Sequence, residues 1–125
     1  GDVVSFEIPF AEPRTEGRFE GIVHVLVNRH SYSNAVTVAA MIQDYGFGTI
    51  YGEPTRDMAT TYGAMEHFTL PHSGFRVGYP KAHIIRPNGN ELSHPVTPDI
   101  ILPAQAPRGE QDTMLEALLD RLAQE

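Results

Sequence analysis

The stretch Gly21–Thr55, GIVHVLVNRHSYSNAVTVAAMIQDYGFGTIYGEPT, decides how the rest of the chain is read. Ile22 to Val27 is β-branched and apolar on nearly every residue, the pattern of a strand covered on both faces. Asn28-Arg29-His30-Ser31 breaks the run with turn formers. Val36, Ala39, Ala40 and Met41 then supply an apolar stripe for a helix that Tyr45-Gly46 stops. Thr49 to Tyr51 returns to strand, and Gly52-Glu53-Pro54-Thr55 forms the next loop. A strand, a helix and a second strand of this length predict an α/β protein.

A serine at the strand-to-helix turn has two readings. Ser31 or Ser33 can cap the helix, since a hydroxyl there accepts from an otherwise orphaned backbone N–H. Alternatively, Ser33 sits where free N–H groups and the positive helix end converge, a setting that stabilises an oxyanion after attack on a carbonyl. Local physics favours the cap, because capping serines vastly outnumber nucleophilic ones.

Outward from this core, Val3-Val4-Ser5-Phe6-Glu7-Ile8 predicts a strand, and Glu12 to Gly17 a polar connector. Arg56 to Gly63 reads as a polar loop. Ala64–Leu70 and Phe75–Tyr79 read as a hairpin turned at Pro71-His72-Ser73-Gly74. Ala82–Ile85 is a further strand, turned by Arg86-Pro87-Asn88-Gly89-Asn90. Ile100-Ile101-Leu102 is a last short strand, and Pro103 to Gly109 a linker. Gln111 to Gln124 forms an amphipathic helix, with Leu115, Leu118, Leu119 and Leu122 on one face and Asp112 or Thr113 as its cap. The expectation is a helix that packs on the sheet.

Composition narrows the function classes. The 125 residues form one domain or part of one. A net charge of −7 argues against a nucleic-acid partner or an anionic membrane surface, which need basic patches. No stretch approaches the roughly 20 apolar residues of a membrane span. With no cysteine, thiolate metal sites and disulfides are excluded. The six histidines show no tight ligand spacing; His67, His72 and His83 are the only set that adjacent strands would bring together, so no metal or other cofactor is expected. Gly-x-Ser-x-Gly, a phosphate-binding glycine loop and a dinucleotide fingerprint are all missing.

Five short motifs in order carry a resemblance: Val25-Leu26-Val27-Asn28, Tyr32-Ser33-Asn34, Gln43-Asp44, Gly52-Glu53-Pro54-Thr55 and Leu70-Pro71-His72-Ser73-Gly74, followed by Pro98-Asp99-Ile100. The stretch from about residue 20 to 102 resembles the C-terminal processing (tail-specific) serine peptidases, whose wider group includes the tricorn core and interphotoreceptor retinoid-binding protein. The resemblance implies a crotonase-like (ββα) core, a mixed sheet with one central helix and the C-terminal amphipathic helix. It implies Ser33 as nucleophile, the Asn34 N–H as one oxyanion donor, and a supporting role for Asp44. It also implies a peptide or protein substrate and an extracytoplasmic setting.

The departures are equally specific. Met58 falls where these peptidases carry their lysine base, and a thioether takes no proton. The sole lysine, Lys81, lies far downstream and reads as a solvated strand-edge charge. The lysine-free pattern resembles the tricorn-like branch, in which a histidine from an upstream segment is the base and a glutamate orients it; Glu91 is the candidate for that glutamate, and His30 a weaker candidate for the base. No Asp-Leu-Arg-x-Asn-x-Gly-Gly segment precedes the core, so the chain is expected to be the C-terminal part of a catalytic domain. Arg56 and Asp57 are candidate substrate contacts, with a solvated loop pair as the plainer reading. Apolar surface left by the missing half would favour homo-oligomerisation. The functional expectation is a serine-type peptidase acting through an acyl-enzyme at Ser33 with an external base. The alternative is a catalytically silent relative that holds a peptide or lipid; acyl-thioester chemistry is a weaker third.

Overall fold

The computed structural model describes residues 1–103 and 111–124. The element order is β1 (His24–Val27), α1 (Asn34–Tyr45), β2 (Thr49–Gly52), β3 (Thr61–Thr69), β4 (Arg76–Ile84), β5 (Ile100–Ile101) and α2 (Thr113–Leu122). β1, β2 and β5 form a parallel sheet in the order β1-β2-β5, with Val25 opposite Ile50 and Tyr51 opposite Ile100. α1 is the crossover that two neighbouring parallel strands require.

Side chains alternate across this sheet, and each face has its own helix. Val25, Val27 and Ile50 meet Val36, Ala39, Ala40 and Ile42 of α1 on one side. Leu26, Tyr51 and Ile100 meet Met114, Leu118 and Leu122 of α2 on the other. The uninterrupted apolar run of β1 follows from this three-layer packing. The class is α/β as expected.

Particular expectations change. β1 begins at His24, and Ile22 lies outside it, 79% exposed. Met41 is exposed, because the buried stripe of α1 runs through Val36, Ala39 and Ala40, and a residue one position beyond Ala40 turns away from the sheet. α2 buries Leu118 with Met114 and Leu122 beside it, whereas Leu115 and Leu119 are exposed. α2 spans Thr113–Leu122, shorter than expected at both ends. Asp112 is its cap, its Oδ1 accepting from Met114 N–H at 3.2 Å and Leu115 N–H at 3.1 Å.

The two strand directions do not share one mixed sheet among the described residues. β3 and β4 instead form a separate antiparallel ribbon. Its turn is as expected, Leu70 N–H donating to Phe75 O and Gly74 N–H to Leu70 O, each at 2.9 Å. The predicted break after Tyr79 does not occur: β4 continues through Pro80, which stands opposite Met65. In a two-stranded ribbon every strand has an open edge, where a missing N–H costs little. Val3–Ile8 forms no strand and is exposed, since an extended segment needs a ladder partner that nothing local supplies. The linker expected at Pro103–Gly109 lies, beyond Pro103, outside the described residues.

The loop after β2 is not wholly polar surface. Thr55, Ala59 and Thr60 are buried, and Met58 bridges to Pro95. The threonines bury their hydroxyls because each both donates and accepts. Thr60 Oγ1 donates to Asn90 O at 2.6 Å and accepts from Arg86 N–H at 3.1 Å. Thr55 Oγ1 donates to Asp57 O at 2.8 Å and accepts from Val96 N–H at 3.0 Å.

Candidate active site

The chain leaves β1 through a tight turn. Ser31 N–H donates to Asn28 O at 2.9 Å, Asn28 N–H donates to Ser31 Oγ at 3.1 Å, and His30 N–H donates to Asn28 Oδ1 at 2.8 Å. Ser31 therefore closes the turn and does not cap α1. Asn28 serves both partners, as Asx turns do.

Ser33 occupies the N-cap position without acting as a cap. Its backbone lies at φ 54° and ψ −124°, and its side chain makes no capping hydrogen bond. Positive φ is uncommon for a residue with a Cβ and costs of order 1–3 kcal/mol. The expectation of a capping serine fails here because the main chain turns too sharply for Oγ to reach back to the first turn of α1. Ser33 is exposed.

The N–H groups around Ser33 are apportioned unequally. Ser33 N–H donates to Asp57 Oδ2 at 2.8 Å. Ala35 N–H donates to Tyr32 O at 3.2 Å, while Val36 N–H and Thr37 N–H both reach Ser33 O. The Asn34 N–H has no acceptor among the described residues. An unclaimed donor at the first position of a helix, next to an exposed serine, is the arrangement an oxyanion needs.

An open cleft of about 450 Å³ lies over this turn, lined by Arg29, His30, Ser31, Tyr32, Arg56 and Asp57. The Arg29 guanidinium pairs with Glu53 at two points, Nη2 to Oε1 at 2.9 Å and Nε to Oε2 at 3.2 Å. That hydrogen-bonded contact holds the Glu53 carboxyl below the usual carboxylate range and raises Arg29 further. It ties the turn after β1 to the loop after β2. Asp57 is committed to backbone: besides Ser33 N–H it accepts Met58 N–H on Oδ1 at 2.9 Å. Arg56 lines the cleft with no acidic partner among the described residues.

The fold thus brings Asp57 to the Ser33 N–H, and Arg56 and Asp57 line the cleft with Ser31 and Tyr32, while Ser33 and Asn34 are not among its lining residues. Glu91 is exposed and does not line the cleft. Lys81 pairs with Glu66 on the ribbon at 2.5 Å. His83 stacks on Tyr62 with ring centroids 4.7 Å apart, and among the described residues no three His, Asp or Glu side chains gather as metal ligands. Two contacts escaped the sequence reading, the Ser33–Asp57 bond and the Arg29–Glu53 pair. The signal available was a charged residue in each of two loops that follow parallel neighbouring strands, whose C-terminal ends lie side by side.

Two further motifs are joined to the core by side-chain hydrogen bonds. Gln43 Nε2 donates to Asp99 Oδ1 at 2.8 Å and to Thr97 O at 2.9 Å, and Asp99 Oδ2 accepts Ile50 N–H at 2.8 Å. Asp44 takes Arg86 and Asn88.

Residues 7–102 match the family model of peptidase family S41. A solved structure of a candidate peptidase from Parabacteroides merdae is similar at 26% identity and a TM-score of 0.64, over 88% of this chain and 34% of that one. Mature CPAF shares the fold at 24% identity and a TM-score of 0.52, over 64% of this chain and 15% of its own. The chain spans about a third or less of the length of these two proteins.

Proposed function

The chain belongs to peptidase family S41, and on that premise we propose that it carries the nucleophile portion of a serine-type peptidase domain with a crotonase-like core. Ser33 attacks the scissile carbonyl and forms an acyl-enzyme. The Asn34 N–H receives the developing oxyanion. The general base comes from a segment outside residues 1–125, as the lysine-free, tricorn-like pattern implies, with Glu91 orienting it. Arg56 and Asp57, on the cleft wall, contact the bound peptide. The observation that carries the reading is Ser33 itself: an exposed serine on a strained main chain that performs no capping, beside a helical N–H with no acceptor. Strain of this kind persists where the surrounding structure over-determines it, most often at a reacting group.

The test is hydrolysis of a peptide substrate, and covalent labelling by a fluorophosphonate, in the full-length protein and its Ser33→Ala variant. The expected result is loss of both in the variant. Unchanged turnover overturns the assignment. Saturable peptide binding, equal in both proteins and without labelling, would assign the cleft to a silent binding relative.

A further inference from the structure

We infer that Asp57 is a positioning residue that holds the Ser33 elbow in its reactive conformation, beyond any part it has in bordering the cleft. The inference rests on the reading of Ser33 as nucleophile. Three contacts fix Asp57. Its Oδ2 accepts Ser33 N–H at 2.8 Å, its Oδ1 accepts Met58 N–H at 2.9 Å, and its carbonyl accepts Thr55 Oγ1 at 2.8 Å. Thr55 is itself buried and anchored to Val96 N–H. Asp57 therefore hangs from the core on one side and grips the nucleophile's own peptide group on the other.

The chemistry of the turn explains why an ionised carboxylate suits this place. At φ 54° the Ser33 peptide plane is rotated away from the local acceptors that an ordinary helix start would offer. Its N–H points to the loop after β2 instead. A carboxylate satisfies that donor with a charge-assisted bond, stronger than a neutral one, and its second oxygen stays on Met58. With the Ser33 N–H claimed, the neighbouring Asn34 N–H is the donor left to the substrate. Removing the carboxylate frees the elbow to relax toward ordinary backbone angles, which moves both Oγ and the Asn34 N–H. A displacement of about 1 Å at such a site costs on the order of 100-fold in rate.

The test compares Asp57→Ala, Asp57→Asn and Ser33→Ala in the full-length protein by steady-state kinetics and fluorophosphonate labelling rate. The amide proton of Ser33 is followed by NMR after isotopic labelling of serine. Asp57→Ala is expected to lower kcat and the labelling rate on the order of 100-fold, a larger effect than on KM, and to shift the Ser33 amide upfield. Asp57→Asn, which keeps one acceptor oxygen, should fall between Asp57→Ala and the parent. A loss of stability alone would not move the Ser33 amide or split kcat from KM. If Asp57→Ala leaves kcat and the Ser33 amide unchanged while Ser33→Ala abolishes turnover, the positioning role falls and the nucleophile stands. Full turnover in Ser33→Ala overturns both.

Discussion

Asp44 and Arg86 form a two-point ion pair, Nη2 to Oδ1 at 2.6 Å and Nε to Oδ2 at 3.0 Å, with side chains only 5% and 11% exposed. The pair joins the last turn of α1 to the turn that follows β4, and Asn88 adds its N–H at 3.1 Å. Together with Arg86 Nη2 donating to Gln43 Oε1 at 3.2 Å, the pair fixes the ribbon's exit to α1. Breaking one partner leaves a charge shielded from water and uncompensated, which costs about 3–5 kcal/mol. Arg86→Met is therefore expected to lower the urea midpoint of unfolding by that equivalent. Replacing Asp44 as well, as Asp44→Leu with Arg86→Met, should recover a large part of the loss. A single-variant cost below about 1 kcal/mol would show the pair to be a surface contact in solution.

Gly52 ends β2 at φ 119°, and a Cβ placed there would stand 2.0 Å from Val27 O. The backbone of β1 approaches so closely because Glu53 N–H donates to Val27 O at 3.0 Å, while Leu102 N–H ties Gly52 O to the β5 side at 3.0 Å. Any side chain forces the strand ends apart, immediately under the Arg29–Glu53 pair. Gly52→Ala should destabilise by about 1–3 kcal/mol from the backbone angle alone, with further loss from the clash. Thermal unfolding monitored by circular dichroism measures this, and an unchanged midpoint would contradict the close approach.

Two carboxylates set an acid limit. Glu53 is held below the usual carboxylate range by its hydrogen bond from Arg29, and Glu66 by its bonds from Lys81 and then Tyr79. Each folded-state value lies below the unfolded one. Both groups therefore contribute stability that is complete above the ordinary carboxylate pKa of about 4.3 and is lost as pH falls through the depressed values. The parent's unfolding midpoint should drop between about pH 5 and pH 3 more steeply than that of Glu53→Gln with Glu66→Gln. Lys81 and Glu66 are exposed and an exposed Arg29 pairs with a half-buried Glu53, so the difference is modest and shrinks in salt. Parallel profiles for parent and double variant would rule it out.

Local signals in the sequence had local causes and read true. Gly46 stops α1 in a left-handed turn, its N–H on Gln43 O while Phe47 N–H reaches Ile42 O, and that closure needs only six residues of context. The turns at Pro71–Gly74 and Arg86–Asn90 and the Asp112 cap are of the same kind. What failed depended on partners distant in the chain. The alternation of Val3–Ile8 could not reveal that no strand lies beside it. The face that α2 buries was set by where Tyr51 and Leu102 left room, so Met114 displaced Leu115. Gln43-Asp44 and Pro98-Asp99-Ile100 were visible as separate motifs, but the Gln43–Asp99 bond that unites them spans 56 residues. For the site, Ser33 was legible as a residue on a turn. Its backbone angles were not, because they depend on Asp57, 24 positions on.

Those angles yield the sharpest test of what Ser33 is for. At φ 54° and ψ −124° a glycine is unstrained while any residue with a Cβ stores of order 1–3 kcal/mol. Oγ makes no capping bond, so removing the hydroxyl forfeits nothing in the folded state. Ser33→Ala should leave stability within about 0.5 kcal/mol of the parent. Ser33→Gly should raise it by about 1 kcal/mol, net of the extra entropy glycine has when unfolded. Both variants should lack fluorophosphonate labelling. A serine kept merely as a cap predicts that both variants lose stability, Ser33→Ala by about 1 kcal/mol and glycine by only a few tenths. A stabilised glycine variant that has lost labelling identifies strain maintained for the reaction. Paired urea denaturation of the three proteins separates the two accounts, because their predictions differ in sign at glycine and not merely in size.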